Sequence, residues 1–196
     1  MNEDIDINKE LQQKNQEMLL NKKRIDLDTS MESLFVFYSN YATNIATEIN
    51  NRVCAYHEID SNSEQGKIFY NIIISFFSMV SNKLKEIIST NIEPVKSKLS
   101  IITDEEYSEL LSTVSNNMIK EINDYCFNNI YMLNSEINQD VSEDVKYCID
   151  NYLNEIINVK MINMLKDKFM FAIKVISNNY VENKEVIENI NEKTIK

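Results

Sequence analysis

The sequence predicts an all-α protein: an antiparallel up-down bundle of four long helices plus a weaker N-terminal helix. Three observations predict it. There is one glycine, Gly66, and one proline, Pro94, in 196 residues, where average usage would give about 14 and about 10. Apolar residues recur at alternating three- and four-residue spacing over long stretches, the signature of one buried helix face. The long stretches are separated by short polar segments that carry helix-start signals, and short connectors make neighbouring helices antiparallel. Because glycine and proline punctuate chains, their scarcity implies few breaks and long elements.

Residues 1–28 read as an N-terminal arm or weak helix, with Ile7, Leu11, Met18 and Ile25 diluted among Gln, Asn and Lys. Thr29-Ser30-Met31-Glu32 reads as a capping box opening the bundle domain, residues 29–180. Leu34, Tyr38, Tyr41, Ile45, Ile49, Val53 and Tyr56 then form its first stripe, and Ser61 to Gly66 the first turn, with Ser61 and Glu64 as a second capping pair. The next helix, about residues 67–92, has no charge between Lys67 and Lys83, and its polar residues Asn71, Ser75, Ser78 and Asn82 fall on one narrow stripe. Pro94 is expected to end or kink it, leaving a connector to Ile102.

Thr103-Asp104-Glu105-Glu106 is the strongest start signal, followed by the stripe Tyr107, Leu111, Val114, Met118, Ile122, Tyr125 and Met132. A turn near residues 134–139 precedes the start signal Asp140-Val141-Ser142-Glu143. The last helix carries Val145, Ile149, Tyr152, Ile156, Leu165, Phe169, Ile173 and Ile176, with a bend expected near Asn158. Residues 181–196 read as a polar helical extension or frayed tail.

The formal net charge of −11 argues against nucleic acid as a partner, since phosphate binding needs a basic face. The charge is uneven: residues 103–150 hold eleven acidic residues against Lys120 and Lys146, whereas 160–174 holds Lys160, Lys166, Lys168 and Lys174 against Asp167. These two helices are expected to lie side by side. Three cysteines without a CxxC pair, and an acidic rather than basic start to the chain, predict a reducing, cytoplasmic setting with cysteines as small core hydrophobes. The heavy use of Asn, Ile and Lys predicts an A/T-rich genome as the source.

No residue pattern predicts an enzyme. A single histidine, His57, rules out the paired Glu-x-x-His motifs of di-iron bundles, and a single glycine rules out phosphate-cradling loops. Cys54 and His57, three residues apart with Glu58, Asp60 and Glu64 nearby, could supply zinc ligands, but four are needed and a histidine at a helix C-terminus is the simpler reading. The carboxylates at 104–109 and 140–144 read as solvated dipole partners. No catalytic, cofactor or metal site is therefore expected.

The expected function is that of a non-enzymatic helical interaction protein, an adaptor, assembly or scaffold component that meets a protein partner or itself through apolar helix faces. The helix at 67–92 reads as having almost no solvent face, so its face Phe69, Ile73, Phe76, Phe77 and Val80 is the first interface candidate, with Met161, Phe169 and Met170 second. A peripheral membrane or lipid-binding bundle using the four lysines of 160–174 is the alternative, and an acidic inhibitor or immunity-type protein that binds a basic partner is a third.

Overall fold

The computed structural model describes residues 2–139 and 141–176, so the expected tail at 181–196 lies outside the described residues. It consists of helices α1 (Asn2–Tyr56), α2 (Glu64–Lys98), α3 (Asp104–Ile137) and α4 (Glu143–Asn154), a π-helical segment (Glu155–Met161), and α5 over 162–176. The last three are one unbroken rod, giving four antiparallel rods in all. Cross-helix pairs fix the directions. Lys96 of α2 pairs with Asp28 of α1, Lys85 lies 4.4 Å above the Phe35 ring, and the Tyr38 hydroxyl donates to the Phe77 carbonyl at 3.4 Å. Asn91 of α2 donates to Glu121 of α3 at 3.1 Å. Arg52 and Phe37 of α1 meet Tyr152 and Lys168 of the last rod.

In α1 the core stripe is Leu27, Met31, Leu34, Tyr38, Ala42, Ile45, Ile49 and Val53, all buried. It begins before Thr29, so the helix passes straight through the expected start signal. Thr29 is an interior helix residue whose carbonyl accepts from the Ser33 hydroxyl at 2.8 Å. The N-terminal segment is thus helical, as expected, but it is the first part of α1 and not a separate helix. At 55 residues α1 is about 82 Å long against about 52 Å for α2. With Asp28 beside Lys96 near the end of α2, the surplus projects past α2, and none of residues 9–22 is buried.

The first turn is closed by backbone geometry. Ile59 N–H donates to the Cys54 carbonyl at 3.0 Å and Glu58 N–H to Ala55 at 3.3 Å, a Schellman motif. Its left-handed position is taken by Glu58, φ 55°, where glycine would avoid about 1 kcal/mol of strain. Glycine is instead used at Gly66, where a Cβ would sit 2.5 Å from the Ser61 carbonyl oxygen and 2.7 Å from that of Asp60. The N-cap of α2 is Ser63, whose hydroxyl accepts from Gly66 N–H at 3.1 Å, rather than the expected Ser61.

Pro94 does not end α2, which continues to Lys98. It is exposed and so is Thr90, whose carbonyl loses the usual N–H partner to the proline ring and can bond water instead. The Thr103 capping box forms as expected: Thr103 Oγ1 accepts from Glu106 N–H at 3.3 Å and Glu106 accepts from Thr103 N–H at 2.7 Å. That backbone donor holds the Glu106 carboxyl below its usual range. Ser142 caps α4 through Val145 N–H.

The bend expected near Asn158 is a π-helical segment. Ile149, Leu153, Ile157, Met161, Leu165 and Phe169 are all fully buried at strict four-residue spacing. In an α-helix each such step overshoots a full turn by about 40°. A straight α-helix would therefore carry this row out of the core, and the wider π turns absorb the excess. Deleting Asn158 should convert this segment to α-helix and leave a cooperatively folded protein. Deleting the exposed Thr47 of α1 should rotate half its stripe by about 100° and abolish cooperative unfolding. Thermal melts followed by circular dichroism compare the two; equal melting points for both deletions would contradict this account of the π segment.

Candidate interaction surfaces and the buried polar end

Seven of the eight residues expected at an interface lie inside the chain's own core. Phe69, Ile73, Phe76, Phe77 and Val80 are buried between α1 and α3, and Met161 and Phe169 face the same interior. Helix α2 does have a solvent face: Asn71, Ser75, Ser78 and Asn82 are all exposed. The reading of α2 as uncovered is corrected, because two flanking helices of its own chain cover its apolar sides. Met170 alone of the eight is exposed, at 59%.

The apolar groups that do reach the surface lie elsewhere. Phe171 is 65% exposed on α5 beside Met170. Next to it a groove of about 320 Å³ runs between α1 and α5, floored by Leu34, Phe37 and Ala172 and rimmed by Thr29, Ser30, Ser33 and Lys168. The Lys168 ammonium lies 4.3 Å over the Phe37 ring, a cation–π contact that ties the two helices at the groove's edge. On α3, Phe127 and Tyr131 stand one turn apart and are both exposed, and Tyr147 is exposed on α4. Sequence reading missed them because each falls just off a core stripe and resembles it in composition.

The expected acidic-to-basic helix pairing is not how the lysines are used. Lys168 stacks on α1 and Lys160 pairs with Glu155 of its own segment at 3.0 Å. Among the described residues no ion pair joins α3 to α5. Glu105, Glu106, Glu109, Glu143 and Asp144 are exposed, consistent with their placement on a solvated face.

Cys54 is buried and donates to Asn50 Oδ1 at 3.8 Å. Among the described residues no group of three or more His, Cys, Asp or Glu is placed to hold a metal ion. Cys126 is also buried, and burial pushes its thiol up to about 12. Cys148, expected in the core, is exposed.

His57 closes the end of α1. Its ring packs 4.6 Å from Phe69, a hydrogen bond reaches the Ile137 carbonyl at the end of α3, and Nε2 is buried without a partner among the described residues. Burial outweighs that hydrogen bond and holds the imidazole below its ordinary value of 6.5. It is therefore neutral at pH 7, not the positive partner of a helix dipole that the sequence suggested.

No family model, curated protein or solved structure among those compared matches the chain. Among the described residues no helix is long and apolar enough to cross a membrane.

Two outcomes follow for this end and this core. Because the folded protein prefers neutral His57, the unfolded chain binds its proton more readily, and stability falls as pH drops from 6.5 through the lower folded value. Urea midpoints of wild type and H57Q at about pH 7.5 and about pH 5 isolate this from the carboxylates: wild type should lose stability relative to H57Q at the lower pH, and a constant difference would contradict it. Second, Ile73→Ala should cost about 2–5 kcal/mol in denaturant unfolding, and a combined Ile73→Glu, Phe77→Glu variant should not fold at all. A folded double variant would return these residues to the surface.

Proposed function

We propose that this chain is a non-enzymatic helical interaction protein, an adaptor, assembly or scaffold component that binds a protein partner through apolar side chains left on its helix faces. The observation that carries the reading is the exposed pair Met170 and Phe171 beside the α1–α5 groove. A groove between two helices with an apolar floor suits an apolar side chain of a partner helix. Each large side chain that such docking removes from water contributes about 1.5–3 kcal/mol. The interior supports the same reading: it is filled by Leu, Ile, Phe, Met and Val from every helix, and its perturbed groups, Tyr38 and Cys126, are raised chiefly by burial among them. The free thiols support a reducing, cytoplasmic setting.

A second reading is favoured by one feature of the same surface. Val159, Met170 and Phe171 are exposed on a rod that also presents Lys160, Lys166 and Lys174 to solvent. That is the pattern of a helix lying on an anionic membrane.

The double variant Met170→Glu, Phe171→Glu decides between them. Both side chains are exposed, so its circular dichroism and melting point should match wild type. Association with itself in sedimentation, or with a partner in pull-down, should weaken about tenfold or more. Unchanged association overturns the protein-interaction reading of this face. Salt-sensitive flotation of wild type with phosphatidylserine vesicles, lost in the variant, selects the membrane reading instead.

A further inference from the structure

We infer that the notch between the end of α3 and the start of α4 recognises a guanidinium group, presented by a protein partner as an arginine side chain. The notch has a volume of about 600 Å³ and is lined by Tyr131, Asn134, Asn138, Lys146 and Asp150, with Gln139 at its rim. It shares no residue with the Phe171 groove, so it adds a second contact surface to the function proposed above.

The unmet hydrogen-bonding capacity of the notch is on the acceptor side. Asn138 is more than nine-tenths buried, and its Nδ2 donates to Asp150 Oδ1 at 2.6 Å. That bond fixes which end of the amide carries the oxygen. Its Oδ1 is then a buried acceptor without a partner, and Asn134 Oδ1 is another. Each buried orphan of this kind has given up its bonds to water without a replacement, which destabilises the unliganded state. A ligand that supplies donors to both recovers that energy.

The charge around the notch selects a cation. Among the described residues of 134–150, Glu136, Glu143, Asp144 and Asp150 stand against Lys146 alone, and Lys146 is already held by Glu143 at 2.7 Å. The C-terminal end of α3, the negative end of its dipole, lies at the same place. Among cations, a bare metal ion is poorly served, because only one carboxylate lines the notch and the remaining oxygens are neutral amides. An ammonium carries three donors on a point. A guanidinium carries five in a planar fork, enough for Asp150 and two amide oxygens at once, and it stacks on aromatic faces. Tyr131, 65% exposed at the mouth, offers such a face. Both orphan oxygens are closed off from solvent, so the arginine reaches them by displacing exposed rim side chains such as Gln139.

The test titrates the full chain with N-acetyl-arginine-methylamide, its citrulline analogue and its lysine analogue, followed by amide NMR. The arginine compound should shift the side-chain amide signals of Asn134 and Asn138 saturably, and the neutral citrulline compound should not. Asp150→Asn should weaken binding about tenfold or more, and Tyr131→Ala, which alters an exposed side chain, should weaken it less. Lys146→Gln removes the competing charge without touching the fold's interior and should tighten binding several-fold, which keeps the proposal testable if Asp150→Asn does not fold. Equal shifts from citrulline, no saturable shift at Asn134 and Asn138, or no tightening in Lys146→Gln would each overturn it. Tighter binding of the lysine compound would reassign the notch to an ammonium and overturn the guanidinium assignment. The Met170 and Phe171 experiment is unaffected by any of these results, so the two proposals fail separately.

Discussion

One apolar seam, kept dry along about 50 Å of bundle, is the constraint on which the rest of this molecule depends. Every rod must present a row of large side chains to it without interruption, and three of the four do so by different devices. Helix α1 keeps a mixed three- and four-residue spacing from Leu27 to Val53, which holds the row on one side of an uninterrupted α-helix. The last rod places six fully buried residues at four-residue intervals, which α-helical geometry alone cannot keep on one side, and the π segment restores their direction. Helix α2 accepts Pro94 within its length because the disrupted turn faces water, while Ile92 and Val95 on either side remain buried. In the last rod and in α2 the core row is preserved and the backbone gives way.

This ordering of priorities explains what could be read in advance. The apolar rows, the Thr103 box and the Ser142 start were legible because each is a local pattern with a local cause. A bend was expected near Asn158, and a π-helical segment is what stands there; the strict four-residue row from Ile149 to Phe169 is the signal that could have shown it. The Thr29 box misled because a capping box describes only what a helix start would look like, and the same residues serve inside a helix when the core row continues past them. Leu27, Met31 and Leu34 keep that row unbroken across Thr29, and their spacing was the signal that could have shown it. Local chemistry proposed an end where tertiary burial required continuity.

The candidate interface was less legible, for a related reason. A helix with few charges looks uncovered, but a central helix flanked on two sides needs only a narrow polar stripe, and Asn71, Ser75, Ser78 and Asn82 supply it. Apolar atoms make up more than half of an ordinary protein surface, so composition cannot separate an exposed phenylalanine from a buried one. Phe169 and Phe171 are two residues apart in sequence, one fully buried and one 65% exposed. Only the rotation of α5 about its axis distinguishes them, and that rotation is set by the π segment a dozen residues earlier. The surface chemistry of the last helix is thus decided by how the core absorbed an extra residue upstream.

Electrostatics then ranks the partners this surface can meet. A chain of net charge −11 repels anionic surfaces at long range and attracts cationic ones, an effect that reaches about 8 Å at physiological salt. The lysines of the last rod are too few to reverse that field beyond their own neighbourhood, so an approach to a membrane works only in one orientation. A basic protein would be drawn in from most directions, and the α3–α4 end, where Glu136, Glu143, Asp144 and Asp150 outnumber Lys146, is one acidic region it would meet. There the orphan oxygens of Asn134 and Asn138 give arginine a reason to stay that steering alone does not. If both proposals hold, apolar docking at Phe171 and donor capture at Asp150 make different demands, an apolar side chain on a helix face for the one and an arginine for the other, and a single partner would have to meet both.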